Sequence, residues 1–138
     1  MPRRVFNVAD TFTIRGRGVV LLPGLTPIND ERFRVGDALR PADLGGRFGA
    51  IVDSGFYHVF GHDKREDFAL QLREALVEGG RYYVLGFGID FPLPNTPIMV
   101  SVDELRKRFS PERGWKELVA RPASFTTRMG PVESIAAC

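Results

Sequence analysis

The spacing of apolar residues predicts one well-defined helix in the middle of the chain, over Asp63–Val77. Phe68, Leu72 and Leu76 recur every fourth residue and define its buried face. The polar side chains between them are expected to cover most of the opposite face, namely Arg65, Glu66, Gln71, Arg73 and Glu74. We expect the first residue of this helix to cap its amide groups and Gly79-Gly80 to supply a left-handed stop.

Short apolar stretches on either side of this helix predict the strands of a sheet. Phe33–Val35 ends at a Gly-Asp pair, and Phe48–Val52 ends at Asp-Ser-Gly. Tyr82–Phe87 has no polar alternation, so we expect a central strand that is buried on both faces. Strands that alternate with helices predict an α/β fold, in which Phe48–Val52 and Tyr82–Phe87 are parallel neighbours.

The last third of the chain contains further residues that mark a loop, the start of a helix and strands. Three prolines mark Asp90–Pro97 as an extended loop. Ser101 and Glu104 have the spacing of a capping box, and Val100 can form a staple with Leu105 in a short helix to about residue 109. Two strands and a tail are predicted to follow: Trp115–Ala120, Ser124–Thr127 and Val132–Ala137.

The first segment is different in character. Residues 5–25 are rich in β-branched and aromatic side chains and predict a β-hairpin over Val8–Leu22. Its strands are expected near Asp10–Arg15 and Val19–Leu22, with the turn near Gly16-Arg17-Gly18. Because the composition changes near residue 30, we divide the chain into an N-terminal hairpin segment, residues 1–30, and an α/β domain, residues 31–138.

Composition, charge and cysteine content restrict the classes of function that we expect for this chain. The chain has 138 residues, 43% of them hydrophobic and 26% charged, which is typical of one folded globular domain. Its net charge of +2 is spread along the chain, so we expect no nucleic-acid partner. We also expect no membrane span, because no run approaches the roughly 18 apolar residues required. The single cysteine, Cys138, excludes an intrachain disulfide and favours the cytoplasm.

Two loops are candidate binding sites because they follow predicted strands, where open α/β sheets bind ligands. They are Gly36–Leu39 and Asp53–His58. An aspartate in such a loop can accept a hydrogen bond from a ribose hydroxyl or an exocyclic amine, although an aspartate at a strand end is more often a turn former or a helix cap. His58 and His62 lack the neighbours of a metal set, so no metal is predicted.

The stretches Phe33–Leu39 (FRVGDAL) and Phe48–Phe60 (FGAIVDSGFYHVF) resemble the small-molecule group of class I S-adenosylmethionine-dependent methyltransferases. In that family the third strand ends in an acidic-Ala-Leu corner, and the fourth ends in an Asp-Ser-Gly-aromatic-aromatic-His turn. The resemblance extends over about four-fifths of the chain through these further segments: the Asp63 helix, Gly79–Leu85, the Ser101 helix and Gly114-Trp115.

The resemblance implies a partial Rossmann-like methyltransferase sheet with S-adenosylmethionine as the cofactor. Asp37 and Ala38 would lie beside the adenine. The turn Asp53-Ser54-Gly55 would border the methionine end of the cofactor and a small-molecule acceptor. An unperturbed histidine titrates near neutral pH, so we expect His58 either to assist deprotonation of that acceptor or to pin the turn by hydrogen bonds.

The front of the chain departs from the family, which opens with a strand and a glycine-rich loop leading into a helix. Here Gly16-Arg17-Gly18 is followed by Val19–Gly24, a β-branched stretch with a proline that does not favour a helix. Residues 5–25 are instead similar to the opening strands of the β-barrel second domain of elongation factor Tu. The chain has no Gly-Lys-Ser/Thr phosphate loop, so a GTPase is excluded.

Two hypotheses of different classes follow. One is a methyltransferase-like protein that is degenerate or completed by a second chain, so that the isolated chain binds the cofactor weakly or not at all. The other is a noncatalytic binding or assembly module that uses the hairpin and an exposed sheet edge beside the Phe33 strand. Both hypotheses predict a homodimer.

Overall fold

The computed structural model describes residues 3–8, 17–21, 33–44 and 47–138. The strands in these ranges form one mixed sheet in the order β3-β2-β1-β4-β5-β7-β6. Their bounds are β1 Arg3–Val8, β2 Arg17–Leu21, β3 Phe33–Asp37, β4 Phe48–Ser54, β5 Leu76–Phe87, β6 Ala120–Thr127 and β7 Gly130–Ala137. Helices α1 (His62–Ala75) and α2 (Val102–Arg108) complete the mixed α/β fold.

Four strands of the sheet run in the same direction, so their carboxyl ends lie along the same side of the sheet. β4 lies parallel to both β1 and β5, which confirms the predicted pairing on either side of α1. β2 lies antiparallel to both β1 and β3. As a result β3, β1, β4 and β5 all run in the same direction. We call the edge where they end the carboxyl edge and the opposite one the amino edge.

The N-terminal segment pairs differently from the prediction. β2 contains Arg17 and Gly18, so the predicted turn at Gly16-Arg17-Gly18 is wrong. The partner strand is β1, which lies upstream of the predicted one, and Asp10–Arg15 lies outside the described residues. β1 and β2 pair with strands of the 31–138 segment, so the described part of residues 1–30 belongs to the same sheet.

Helix α1 has the predicted buried face. Phe68 and Leu72 are buried on it, and Leu76 is buried at the start of β5. Gly61 is the N-cap and no side chain caps the helix, so the prediction that Asp63 caps it is wrong. The helix begins at His62 because Gly61 is extended and its carbonyl accepts the Arg65 amide at 3.0 Å.

The predicted stop at Gly79-Gly80 is also wrong. The helix ends at Ala75, because Leu76 adopts an extended backbone and pairs with Phe48 on β4. Gly79 does have a left-handed backbone, with φ of +73°, but it lies inside β5. It falls where the β4–β5 register shifts, a type of irregularity for which glycine is suited. Sheet pairing therefore ends the helix before the glycines do.

Helix α2 follows its local signals. Ser101 is the N-cap, and its hydroxyl accepts the Glu104 amide at 3.1 Å, as the capping box predicts. Val100 and Leu105 are both buried in the core, consistent with the predicted staple. Phe109 is the C-cap, and residues 90–97 form an irregular loop. Each of these features is set within a few residues along the chain.

The C-terminal strands differ in extent from the prediction. Residues 115–119 are not in a strand, and β6 begins only at Ala120. The predicted tail is a full strand, β7, which lies antiparallel to both β5 and β6. The backbone of Cys138 exchanges hydrogen bonds with Val119, which extends the β6–β7 pairing.

The core lies on one face of the sheet. On β5, Tyr82 and Val84 are buried beneath α1 and α2, whereas Tyr83 and Leu85 on the other face are half-buried. The prediction that Tyr82–Phe87 is buried on both faces is therefore wrong. Both helices pack on the first face, so residues alternate in burial along the strand. Among the described residues, no helix is long and apolar enough to cross a membrane.

Candidate functional site

The carboxyl edge brings the sequence-predicted site residues to one side of the sheet. Asp37 ends β3, and Asp53 lies near the end of β4, with β2 and β1 between them. Three strand spacings separate the two positions, or about 14 Å across the sheet. The two loops therefore share an edge but do not touch at the strand ends.

Asp53 is buried and fully engaged inside the protein. Its Oδ1 accepts the Phe56 amide at 2.8 Å, and its Oδ2 accepts the Tyr57 amide at 3.1 Å and the Tyr82 hydroxyl at 2.7 Å. The side chain is 2% exposed. A ligand at this edge would therefore meet the turn that Asp53 holds and not the carboxylate itself.

Burial also changes the acidity of this carboxyl. Removal from water raises the pKa of Asp53 to about 6, while the bonds from Tyr82, Phe56 and Tyr57 act in the opposite direction. Burial, followed by the contact with Asp53, raises the pKa of Tyr82 well above its ordinary value. Near neutral pH, Asp53 is thus a buried anion stabilised by the hydrogen bonds that close the turn around it.

Position 55 requires glycine because of its backbone conformation and because neighbouring side chains lie close to it. Its φ is +76°, a conformation that residues with a Cβ atom rarely adopt. A Cβ at this position would lie 3.1 Å from the Phe125 ring and 3.3 Å from His58 Cε1. Its amide donates to the Leu85 carbonyl at 2.7 Å, which ties the turn to β5. Ser54, just before it, is half-buried at the end of β4.

His58 is a buried acceptor within the turn. Its Nδ1 accepts the Phe87 amide at 3.0 Å, and its ring lies 4.4 Å from the Phe87 ring. Burial, with a smaller effect of Arg65, lowers the pKa of His58 to about 4. A neutral imidazole with one nitrogen engaged is a weak base near pH 7, so this geometry favours the pinning role over general-base catalysis.

Asp37 is exposed, unlike the other acidic residue predicted for the site, Asp53. Its Oδ1 accepts the Leu39 amide at 3.0 Å and its carbonyl accepts the Arg40 amide at 2.9 Å, which forms a tight turn after β3. The carboxylate remains at the surface, so it can meet a ligand. Ala38 is buried, at 7% exposure, and packs into the core cluster.

Sequence patterns missed a cluster of aromatic rings at the carboxyl edge. The Phe87 ring lies 5.4 Å from Phe91 and 5.2 Å from Phe125, and all three side chains are half-buried. With His58 they form a partly exposed apolar surface beside the Asp53 turn. Phe125 comes from β6, so no local spacing could have placed it there.

Sequence patterns also assigned Arg65 to the wrong side of α1. The guanidinium is fully buried and donates to the carbonyls of Tyr57, Ile98 and Met99. Glu104 lies 3.6 Å from it and accepts the Tyr57 hydroxyl at 2.6 Å. Arg65 thus fastens two loops of the carboxyl edge to α1. The available signal was its position three residues before Phe68, on the apolar stripe.

In the described ranges, no three His, Cys, Asp or Glu side chains are grouped so that they could hold a metal ion. The His62 side chain is 67% exposed and stands at the first turn of α1.

Comparisons with known proteins agree on the fold. The sequence matches no family model and no curated protein. A structure described as "Conversion of a Disulfide Bond into a Thioacetal Group during Echinomycin Biosynthesis" aligns with a TM-score of 0.60 and 23% identity, over 75% of this chain and 53% of that one. TehB from Haemophilus influenzae aligns with a TM-score of 0.54 and 13% identity, over 72% of this chain and 37% of that one.

Both of these proteins have the fold of S-adenosylmethionine-dependent methyltransferases, so the mixed sheet described above is of that type. The chain spans about half the length of the first protein and less of the second. At these identities the likeness establishes the fold alone.

Proposed function

We propose that this chain is a methyltransferase-like domain that meets S-adenosylmethionine at the carboxyl edge and needs a second chain to complete the site. The observation that carries this proposal is the common direction of β3, β1, β4 and β5. It aligns the exposed Asp37 with the Asp53 turn at the edge where open α/β sheets bind ligands. In the proposal, Asp37 accepts from the ribose and the backbone at Ala38 borders the adenine.

The family normally binds the methionine end of the cofactor with a strand, a loop and a helix, and β1 and β2 are arranged differently. Residues 9–16 alone connect these two strands, and the strands are antiparallel. Antiparallel neighbours are not joined by the parallel strand-helix-strand crossover that usually presents a helix amino terminus to the charged methionine group. We therefore expect weak binding by the isolated chain.

The acceptor side of the proposed site is the surface formed by Ser54, Gly55 and the rings of Phe87, Phe91 and Phe125. A small molecule with an apolar part fits this surface better than a highly charged one. Because His58 is a weak base, an acceptor that is nucleophilic without losing a proton is favoured. His58 then acts as a positioning residue for the turn.

The test compares S-adenosylmethionine with adenosine by isothermal titration. If only the adenosine end is recognised, the two ligands bind with affinities within about threefold of each other. Asp37→Asn should weaken both, while Asp43→Asn, an exposed acid in the same segment, should weaken neither. Tight binding of S-adenosylmethionine by the monomer would show that the site is complete. Absence of binding to either ligand would reject the proposed edge.

A second candidate function, an assembly module, is favoured by the position of β3. β3 pairs with β2 on one side only and forms an edge of the sheet built by the described strands. Unpaired strand edges are either covered or used for association. Light scattering over a range of concentrations tests this function directly. A stable dimer that binds no nucleoside supports the assembly module, and a dimer that binds adenosine supports the first proposal.

A further inference from the structure

The face of the sheet opposite α1 and α2 carries a patch of apolar side chains along its middle strands. In the register, Val52 lies beside Tyr83, and Leu85 lies beside Ala136 of β7, so these side chains share one face. They are half-buried, while both described α-helices pack on the other face. We call this patch the open face, and its residues are Ala50, Val52, Tyr83, Leu85 and Ala136.

The open face has the composition of a surface that packs against a second layer. β1, β4 and β5 are parallel neighbours, and parallel strands occur almost only where both faces of the sheet are covered, usually by helices. A strand face that meets water would instead carry polar residues between the core positions. In β5, the positions that alternate with the buried Tyr82 and Val84 are Tyr83 and Leu85. This composition favours a helical layer on the open face.

The charged residues at the rim of the open face are arginines. Arg81 lies on β5 toward the amino edge, in the same register row as Arg4 of β1. Arg121 lies on β6 and pairs with Ala136. Arg81 and Arg121 are both exposed. At the described positions of this face in β4, residues 81–87 of β5, β6 and β7, no acidic side chain occurs.

Arg81 is held on the open face by a neighbour of that face. Its guanidinium donates to the Tyr83 hydroxyl at 3.4 Å. This contact raises the pKa of Arg81, and Cys138 has a smaller effect in the same direction. Two copies of the chain stacked on this face would bring their exposed arginines together without acidic partners from the face. Like charges therefore oppose a second copy here and favour an acidic partner.

We propose that the open face docks an amphipathic α-helix of another polypeptide, with the apolar stripe of that helix on the open face and acidic side chains toward Arg81 and Arg121. Strand β4 spans about 23 Å at roughly 3.3 Å per residue, which matches a helix of about 15 residues. The acidic side chains stay at the rim in water, so no unpaired charge is buried. This docking does not depend on the cofactor proposed above.

The probe is a labelled peptide of about 15 residues, with leucines at the third and fourth positions of each turn and glutamates elsewhere. Fluorescence anisotropy follows its binding. One matched peptide has lysines in place of the glutamates, and a second has the same composition in an order that forms no stripe. We expect the acidic striped peptide to bind about tenfold more tightly than either, because only it matches both the apolar patch and the arginines. Equal affinities for the acidic peptide and either matched peptide would overturn the proposal.

The arginines are tested by a matched pair of double variants. Arg81→Glu with Arg121→Glu should abolish the preference for the acidic peptide over the basic one. Lys64→Glu with Lys107→Glu makes the same change in net charge at exposed positions of α1 and α2, and it should preserve that preference. If both double variants lose the preference equally, net charge attracts the peptide and the open face does not.

The apolar contact is tested at the middle of the face. Ala136→Glu should abolish binding of the acidic peptide, whereas Thr126→Glu, exposed on the other face of β6, should leave it intact. If thermal unfolding shows that Ala136→Glu does not fold, Ala136→Gln adds a polar side chain without charge and should weaken binding about threefold or more. Undiminished binding to a folded variant at Ala136 would refute the docking site.

A second copy of the chain is the rival occupant of the open face. Light scattering with and without the acidic peptide separates the two occupants. A dimer that the peptide dissociates would assign the face to a second copy and overturn the proposal, whereas binding with no change in oligomeric state supports it. None of these measurements contains a nucleoside, so their outcome is separate from that of the cofactor proposal.

Discussion

Two buried groups in the Asp53 turn are expected to give opposite pH dependences that cancel in the wild-type protein. Burial raises the pKa of Asp53 to about 6 from 3.8, and burial lowers the pKa of His58 to about 4 from 6.5. The two intervals overlap between about pH 4 and pH 6. Replacing either residue should reveal the dependence that the other one carries.

The sign follows from where the protons are bound. In this interval folded Asp53 keeps a proton that the unfolded chain releases, so the free energy of unfolding falls as pH rises. His58 is neutral when folded and protonated when unfolded, so its contribution rises with pH. Each slope is about 1.4 kcal/mol per pH unit, and each amounts to roughly 3 kcal/mol over the full interval. Their sum is close to zero between about pH 4 and pH 6.

Two asparagine variants isolate the slopes. Asp53→Asn keeps an oxygen that can accept from the Phe56 or Tyr57 amide, and it should show stability that rises from about pH 4 to pH 6. His58→Asn keeps an acceptor for the Phe87 amide and should show the reverse. Urea unfolding at several pH values gives both slopes, and any constant loss of stability drops out of the comparison.

The double variant should return a flat profile, and so should Asp67→Asn, an exposed aspartate of α1 that serves as the control. Equal slopes in the two single variants, or profiles that match the wild type, would refute the assignment. Either outcome would mean that water reaches the turn, so that burial does not govern the protonation of Asp53 and His58.

Three further predictions concern stability, each measured by urea unfolding at neutral pH. Leu72→Ala removes a fully buried side chain and should cost on the order of 2–5 kcal/mol, whereas Leu70→Ala, which is 54% exposed before the change, should cost less than about 0.5 kcal/mol. Tyr82→Phe deletes the 2.7 Å bond to Asp53 and should cost about 1.5–3 kcal/mol; a loss below about 0.5 kcal/mol would contradict the charged bond. Ser101→Ala removes the cap of α2 and should cost about 1 kcal/mol, with Ser101→Thr largely neutral.

Features that depend on neighbours in sequence were predictable from the sequence. The apolar stripe of α1 places Phe68 and Leu72 on one face because a helix brings every fourth residue together. The Ser101 cap needs only the amide three residues later. The α/β alternation also predicted that β4 and β5 are parallel, since a helix packed on the sheet between two such strands can return the chain to the side at which the first strand began. Asp37 and Asp53 were placed at one edge by the same reasoning.

The roles of individual side chains were decided by tertiary contacts. Arg65 has the composition of a surface residue, yet three carbonyls from distant loops meet its guanidinium and make burial favourable. Asp53 looked like a ligand-binding acid, but Tyr82 from the next strand completes its hydrogen bonds. Leu76 does not continue the helix because its backbone pairs with Phe48 on β4. Local pattern determines secondary structure and its buried face, whereas the partners available across the sheet determine which polar groups remain for function.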